Sequence, residues 1–327
     1  MMRYSSLALL ASLIAAVVGS GGSRSTSIAT TKYNAMFGFG DSITETGNIC
    51  LGSNSTELDA LTCTPQPYGM TYFGKPSCRW CNGHVVIDFT AQALGLPLLP
   101  PIKSQGKYFR RGANMAITGG TAMNFFYKSL GVEDPIWHAK HTNPVLFQLF
   151  IKLILCLMLD CKEFLKKSLF QFGGFGGNDY NVHLLELALT VQQGMKNTPM
   201  IINAIVNGVE RLIALGARQI VVPGIHPTGC LPLFLSLFAS SSNEADLDQY
   251  GCMRSYNRVT TTQCSRNRNS PTEAQIIEDH KWSARKNITV ACNLCLGAGF
   301  SNPFETCCGA GGGKYNFDIT IQLCPAV

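Results

Sequence analysis

The sequence predicts an α/β fold with a central parallel sheet, and two observations carry that expectation. From residue 35 short apolar runs alternate with longer stretches of helical period, the pattern of βα units. Polar, glycine-rich turns also recur along the chain, as at 40–48, 112–121 and 173–180. In open parallel sheets such turns, at the carboxyl ends of the strands, are where ligands bind.

Each element follows from local pattern. Ala35 to Phe39 reads as a buried strand that ends at Gly40-Asp41-Ser42. Val85 to Leu94 reads as a helix stopped by Gly95 and Pro97. Val145 to Leu159 is apolar but interrupted by Gln148 and Lys152, which fits a buried amphipathic helix. Ser168 to Phe172 is a second strand, and Val182 to Gln193 is expected to be helical. Pro199 to Leu215 places apolar residues at 201, 202, 205, 206, 209, 212 and 213, one face of a helix that Gly216 caps. Arg218 to Val222 is the next strand. No repeat or linker divides the chain, so residues 33–327 are expected to form one domain, with 259–297 poorly determined because it shows neither apolar period.

Composition narrows the function. Of 327 residues 46% are hydrophobic and 14% charged, enough for a substantial core and too few charges for a disordered or coiled-coil chain. The net charge of +6 is scattered, with no basic block, which argues against a nucleic-acid partner. Fourteen cysteines argue against a reducing compartment. The amino terminus agrees: an Arg near the start, an apolar run from Leu7 to Val18, then small residues from Gly19. Residues 1–22 therefore read as a secretory signal peptide, and the run is too short for stable membrane insertion. Asn54-Ser55-Thr56 and Asn287-Ile288-Thr289 make Asn54 and Asn287 glycosylation candidates. Cys78-x-x-Cys81 and Cys292-x-x-Cys295 lie too far apart to read as one zinc site, and neither metal nor cofactor is expected.

The glycine-rich turns carry the chemistry. A Ser just past a strand can act as a nucleophile where nearby backbone N–H groups receive developing negative charge. Glycine lets the backbone approach an oxyanion, and an Asn amide adds a donor that does not titrate. Gly40-Asp41-Ser42-Ile43 supplies the Ser, Asn114 to Thr121 a Gly-Gly turn, and Gly176-Gly177-Asn178-Asp179 the Asn.

In this order the three blocks resemble those of the plant GDSL esterase/lipases of the SGNH hydrolase superfamily, with Ile43 in place of Leu in the first. Pro67 to Gly74, Leu94 to Pro101, Asp248 to Cys252 and Cys307 to Gly313 add to the likeness. The resemblance implies a flavodoxin-like α/β/α sandwich and ester hydrolysis through a Ser acyl-enzyme, on a small-molecule ester or lipid substrate. Ser42 would be nucleophile and oxyanion donor, Gly119 a second N–H donor, and Asn178 the side-chain donor.

Two features depart from the family. Its Asp-x-x-His, which follows the Cys-Cys-Gly loop, occurs nowhere in this sequence, so the C-terminal part is expected to be incomplete. Losing such a base costs on the order of a million-fold in turnover, while an oxyanion hole alone retains roughly a thousand-fold over water. The chain is therefore expected to be weak or inactive, and the alternative is a non-catalytic binding variant that keeps the oxyanion pocket. Among six His, His226 is the candidate substitute base, because its strand should open on the same edge as Ser42. The second departure is 259–297. Residues 259–264 can be encoded by codons that, read one phase over, give the Tyr-His-Asn of the family's helix, so this stretch is expected to be translated out of phase.

Overall fold

The computed structural model describes residues 33–61, 63–123, 161–239 and 244–259. The expected signal peptide, the helix expected at 145–159, Asn287 and the segment from residue 260 onward lie outside the described residues.

Four strands, β1 (Met36–Phe39), β2 (Gly112–Asn114), β3 (Leu169–Phe172) and β4 (Gln219–Val221), form one sheet in the order β2-β1-β3-β4. All three pairings are parallel. β1 and β3 lie side by side although β2 comes between them in sequence, so the strand order switches there. A crevice opens at such a switch point, outside the carboxyl ends of the strands.

The two-residue period of the strands sends side chains to opposite faces. Phe37 and Phe39 of β1 and Phe170 and Phe172 of β3 lie on one face, in register Phe37↔Phe170 and Phe39↔Phe172. Their ring centroids are 5.3 and 5.4 Å apart. Against them pack Ile201, Ile205, Val209 and Leu212 of α7 (Thr198–Leu215). Met36 and Leu169 face the other way, onto Val85, Ile87 and Ala91 at α3 (Val86–Ala93). Helices cover both faces, which makes the fold an α/β/α sandwich.

β1, β3, β4 and the helices α3 and α7 agree with the sequence expectations to within a few residues, while β2, three residues long, is not among the expected strands. The run Val191–Leu215 is apolar and long enough to cross a membrane by composition. Its buried side chains belong to the sheet-facing core instead.

The expected helix from Val182 to Gln193 is corrected. The chain makes α5 (Gly177–Asn181), a π-turn at Val182–Glu186, and then a separate α6 (Val191–Met195). Ala188 adopts φ +48°, which ends the first helix, and Thr190 opens the second with a capping box to Gln193. Shorter helices α1 (Asn48–Gly52), α2 (Ser55–Ala60), α4 (Cys161–Lys166) and α8 (Pro232–Phe238) accompany these elements, with single 3-10 turns at Thr228–Cys230 and Glu244–Asp246.

Candidate active site

Ser42 stands in a turn at the carboxyl end of β1, closed by Thr44 N–H donating to the Asp41 carbonyl at 3.1 Å. Ser42 is half-buried and Ile43 exposed, while the Asp41 side chain folds under the turn. Asp41 Oδ1 accepts the Ile43 N–H at 3.0 Å. Gly40 holds this turn against the one after β3: a Cβ there would lie 2.2 Å from the Gly173 carbonyl oxygen. No other residue type fits such a backbone approach.

The second turn follows β2 and is tied to the first by side chains. Asn114 is buried and donates through Nδ2 to the Thr44 carbonyl at 2.6 Å. Asn48 donates back to the Asn114 and Ala116 carbonyls, both at 2.8 Å. Glu45 is fully buried, and its carboxylate accepts the Thr118 N–H, the Thr118 hydroxyl and the Ile49 N–H. Gly119 follows with φ +76°, a left-handed conformation.

The third turn follows β3 and closes the cluster. Asn178 Nδ2 donates to the Gly120 carbonyl at 3.1 Å and, more weakly, to Asp41 Oδ2 at 3.4 Å. Asp179 is fully buried and accepts the Ala122, Met123 and Gly176 N–H groups at 3.0, 2.9 and 3.1 Å. The first, second and third blocks of the sequence thus meet at the sheet's switch point.

Three buried carboxyls sit beneath this edge. Burial pushes Asp41 up to about 7, and the neighbouring charge of Asp179 adds to the rise. Burial likewise raises Glu45 to about 7 and Asp179 to about 6, against the opposing pull of the N–H groups they accept. The sequence reading missed all three as site components. Their signal was acidic residues inside glycine-rich turns of a charge-poor chain.

His226 lies in the loop leaving β4, exposed at its surface. That loop adjoins the third turn: a Cβ on Gly173 would lie 2.8 Å from Pro223 Cδ. Asn54 is exposed, and its side chain caps α2 by accepting the Glu57 N–H at 2.9 Å.

The sulfurs do not form the Cys78-x-x-Cys81 pair that the spacing invites. Cys78 is disulfide-bonded to Cys50, and Cys230 to Cys252, leaving Cys63 and Cys81 as free thiols among the described residues. Cys63 Sγ lies within 4.8 Å of both sulfurs of the Cys50–Cys78 bridge. Two of those three sulfurs are already joined, so as it stands the group offers no complete set of metal ligands.

A parallel sheet whose switch point gathers a turn-borne Ser, a Gly-Gly turn and an Asn amide defines the class of α/β/α ester hydrolases. The profile of the GDSL-like lipase/acylhydrolase family matches residues 36–318, and the chain belongs to that family. It is 33% identical over 303 residues to acetylajmalan esterase 2 of Rauvolfia serpentina, covering 89% of this chain and 80% of that protein. It is 33% identical over 305 residues to the sinapine esterase of Brassica napus, covering 88% and 75%. A GDSL esterase/lipase of Arabidopsis thaliana is 32% identical over 310 residues, covering 90% and 81%. The chain is thus a hydrolase of the carboxylic-ester type.

Proposed function

We propose that Ser42 is the acylated nucleophile and that its own N–H, the Gly119 N–H and the Asn178 side chain receive the oxyanion. The observation that carries this reading is the convergence of the three turns, through Asn178 onto Gly120 and Asp41. Ser42 Oγ attacks the ester carbonyl carbon, the alcohol departs with a proton, and water then releases the acid. The 3.4 Å contact from Asn178 to Asp41 is the longer of its two, so it is the one an oxyanion displaces. The substrates are small carboxylic esters, the class the names of the two esterases point to, with lipid esters as the wider possibility.

A base must take the Ser42 proton for the attack to proceed, and His226 is the candidate acceptor within the described residues. The protein is secreted through residues 1–22 and folds as one domain over 33–327, with Asn54 and Asn287 as glycosylation sites.

Hydrolysis of p-nitrophenyl acetate tests the assignment. Ser42→Ala is expected to reduce turnover to the buffer background. Equal rates for wild type and Ser42→Ala would replace the enzyme with the non-catalytic binding variant. Unchanged turnover in His226→Ala would remove His226 from the mechanism.

A further inference from the structure

We infer that Glu45 is a positioning residue for the oxyanion site, holding the Gly119 peptide in place through Thr118. This rests on the assignment of Gly119 as a donor, and it adds a residue outside the three blocks' nucleophile and donors. Glu45 sits three residues beyond Ser42, and its Oε2 takes both the N–H and the hydroxyl of Thr118. Its Oε1 takes the Ile49 N–H, which anchors the carboxylate to the first turn of α1. Trp80 Nε1 donates to the same Thr118 hydroxyl. Thr118 is therefore gripped at its backbone and its side chain, and the next peptide N–H is that of Gly119.

A buried carboxylate joining the Ser turn to the Gly-Gly turn fixes the spacing between nucleophile and donor, where small misplacements cost large factors in rate. The bare Gly119 site shows why such a grip is needed. Among the described residues beyond its chain neighbours, no atom lies within 4 Å of a Cβ built at Gly119, so none of them packs on that side of its left-handed backbone.

Among the described residues, three groups bear on Glu45 or its neighbour. Lys103 favours its ionised form, and the buried Cys63 thiol, pushed up to about 12, stays neutral beside it. Arg79 reaches the adjacent Thr46 carbonyl but is engaged by Asp88.

The test combines kinetics with a signal that needs no turnover. Glu45→Gln is expected to lower kcat for p-nitrophenyl acetate by about tenfold to a hundredfold with KM within about twofold. Thr118→Val, which keeps the backbone bond and loses the hydroxyl, is expected to give about a threefold loss. In protein carrying 15N-threonine, the Thr118 amide is expected to shift with pH around 7 in wild type and to lose that shift in Glu45→Gln. Unchanged kcat in a folded Glu45→Gln, or a Thr118 amide that responds identically in both proteins, overturns the inference. Should Ser42→Ala retain full turnover, the underlying assignment falls instead; the Thr118 signal still reports separately on the grip.

Discussion

Two kinds of buried carboxylate stand within one sheet's reach and are stabilised in opposite ways. Asp88, in the first turn of α3, is bound in a two-pronged pair by Arg79, Nε to Oδ2 at 2.7 Å and Nη2 to Oδ1 at 3.0 Å. Among the described residues, Asp41, Glu45 and Asp179, under the site, are not bound by a guanidinium: they accept peptide N–H groups, a hydroxyl and an amide, with Lys103 acting on Glu45 through its charge. The difference separates two jobs. A guanidinium neutralises a charge and ties two segments together. Amides leave the charge in place but set the orientation of each peptide they donate from, and orientation is what an oxyanion site requires.

The comparison breaks first at Arg79. Arg79→Met leaves Asp88 buried without its cation and is expected to cost about 3–5 kcal/mol, read from urea unfolding. A cost below about 1 kcal/mol would mean that the pair differs little from its neighbours.

The site carboxyls give the second, smaller effect. With pKa values raised to about 7, 7 and 6 when folded, they bind more protons folded than unfolded from about pH 4 up to those values. Stability therefore falls as pH rises through that window and levels off above it. A single group raised by two units is worth about 3 kcal/mol, so unfolding by urea is expected to be easier at pH 8 than at pH 5 by that order. Higher stability at pH 8 would show that these carboxyls are not held in the protonated-favouring state described.

The smallest effect marks the limit of the series. Asn54 is a neutral, exposed acceptor of one N–H at α2, and Asn54→Ala is expected to cost about 1 kcal/mol, with turnover unchanged.

The same division explains what the sequence made legible. Strands β1 and β3 and helix α7 announced themselves because short continuous apolar runs and period-3.6 apolar spacing are properties of single segments. The turns bearing Ser42, Gly119 and Asn178 were readable as blocks only because three of them occur in one order; each alone has the composition of an ordinary loop. The grip of Glu45 on Thr118 joins residues 73 positions apart, and no local pattern encodes such a partner. The break at Ala188 was missed for a similar reason: apolar spacing runs on through a residue whose backbone turns left-handed.

The contact between Gly40 and the Gly173 oxygen has a practical bearing on redesign. Libraries that randomise residue 40 to broaden ester preference would spend nearly all their members on chains that push two strand ends apart. Useful variation has to be sought at positions such as Ile43, whose side chain already points into water beside the nucleophile.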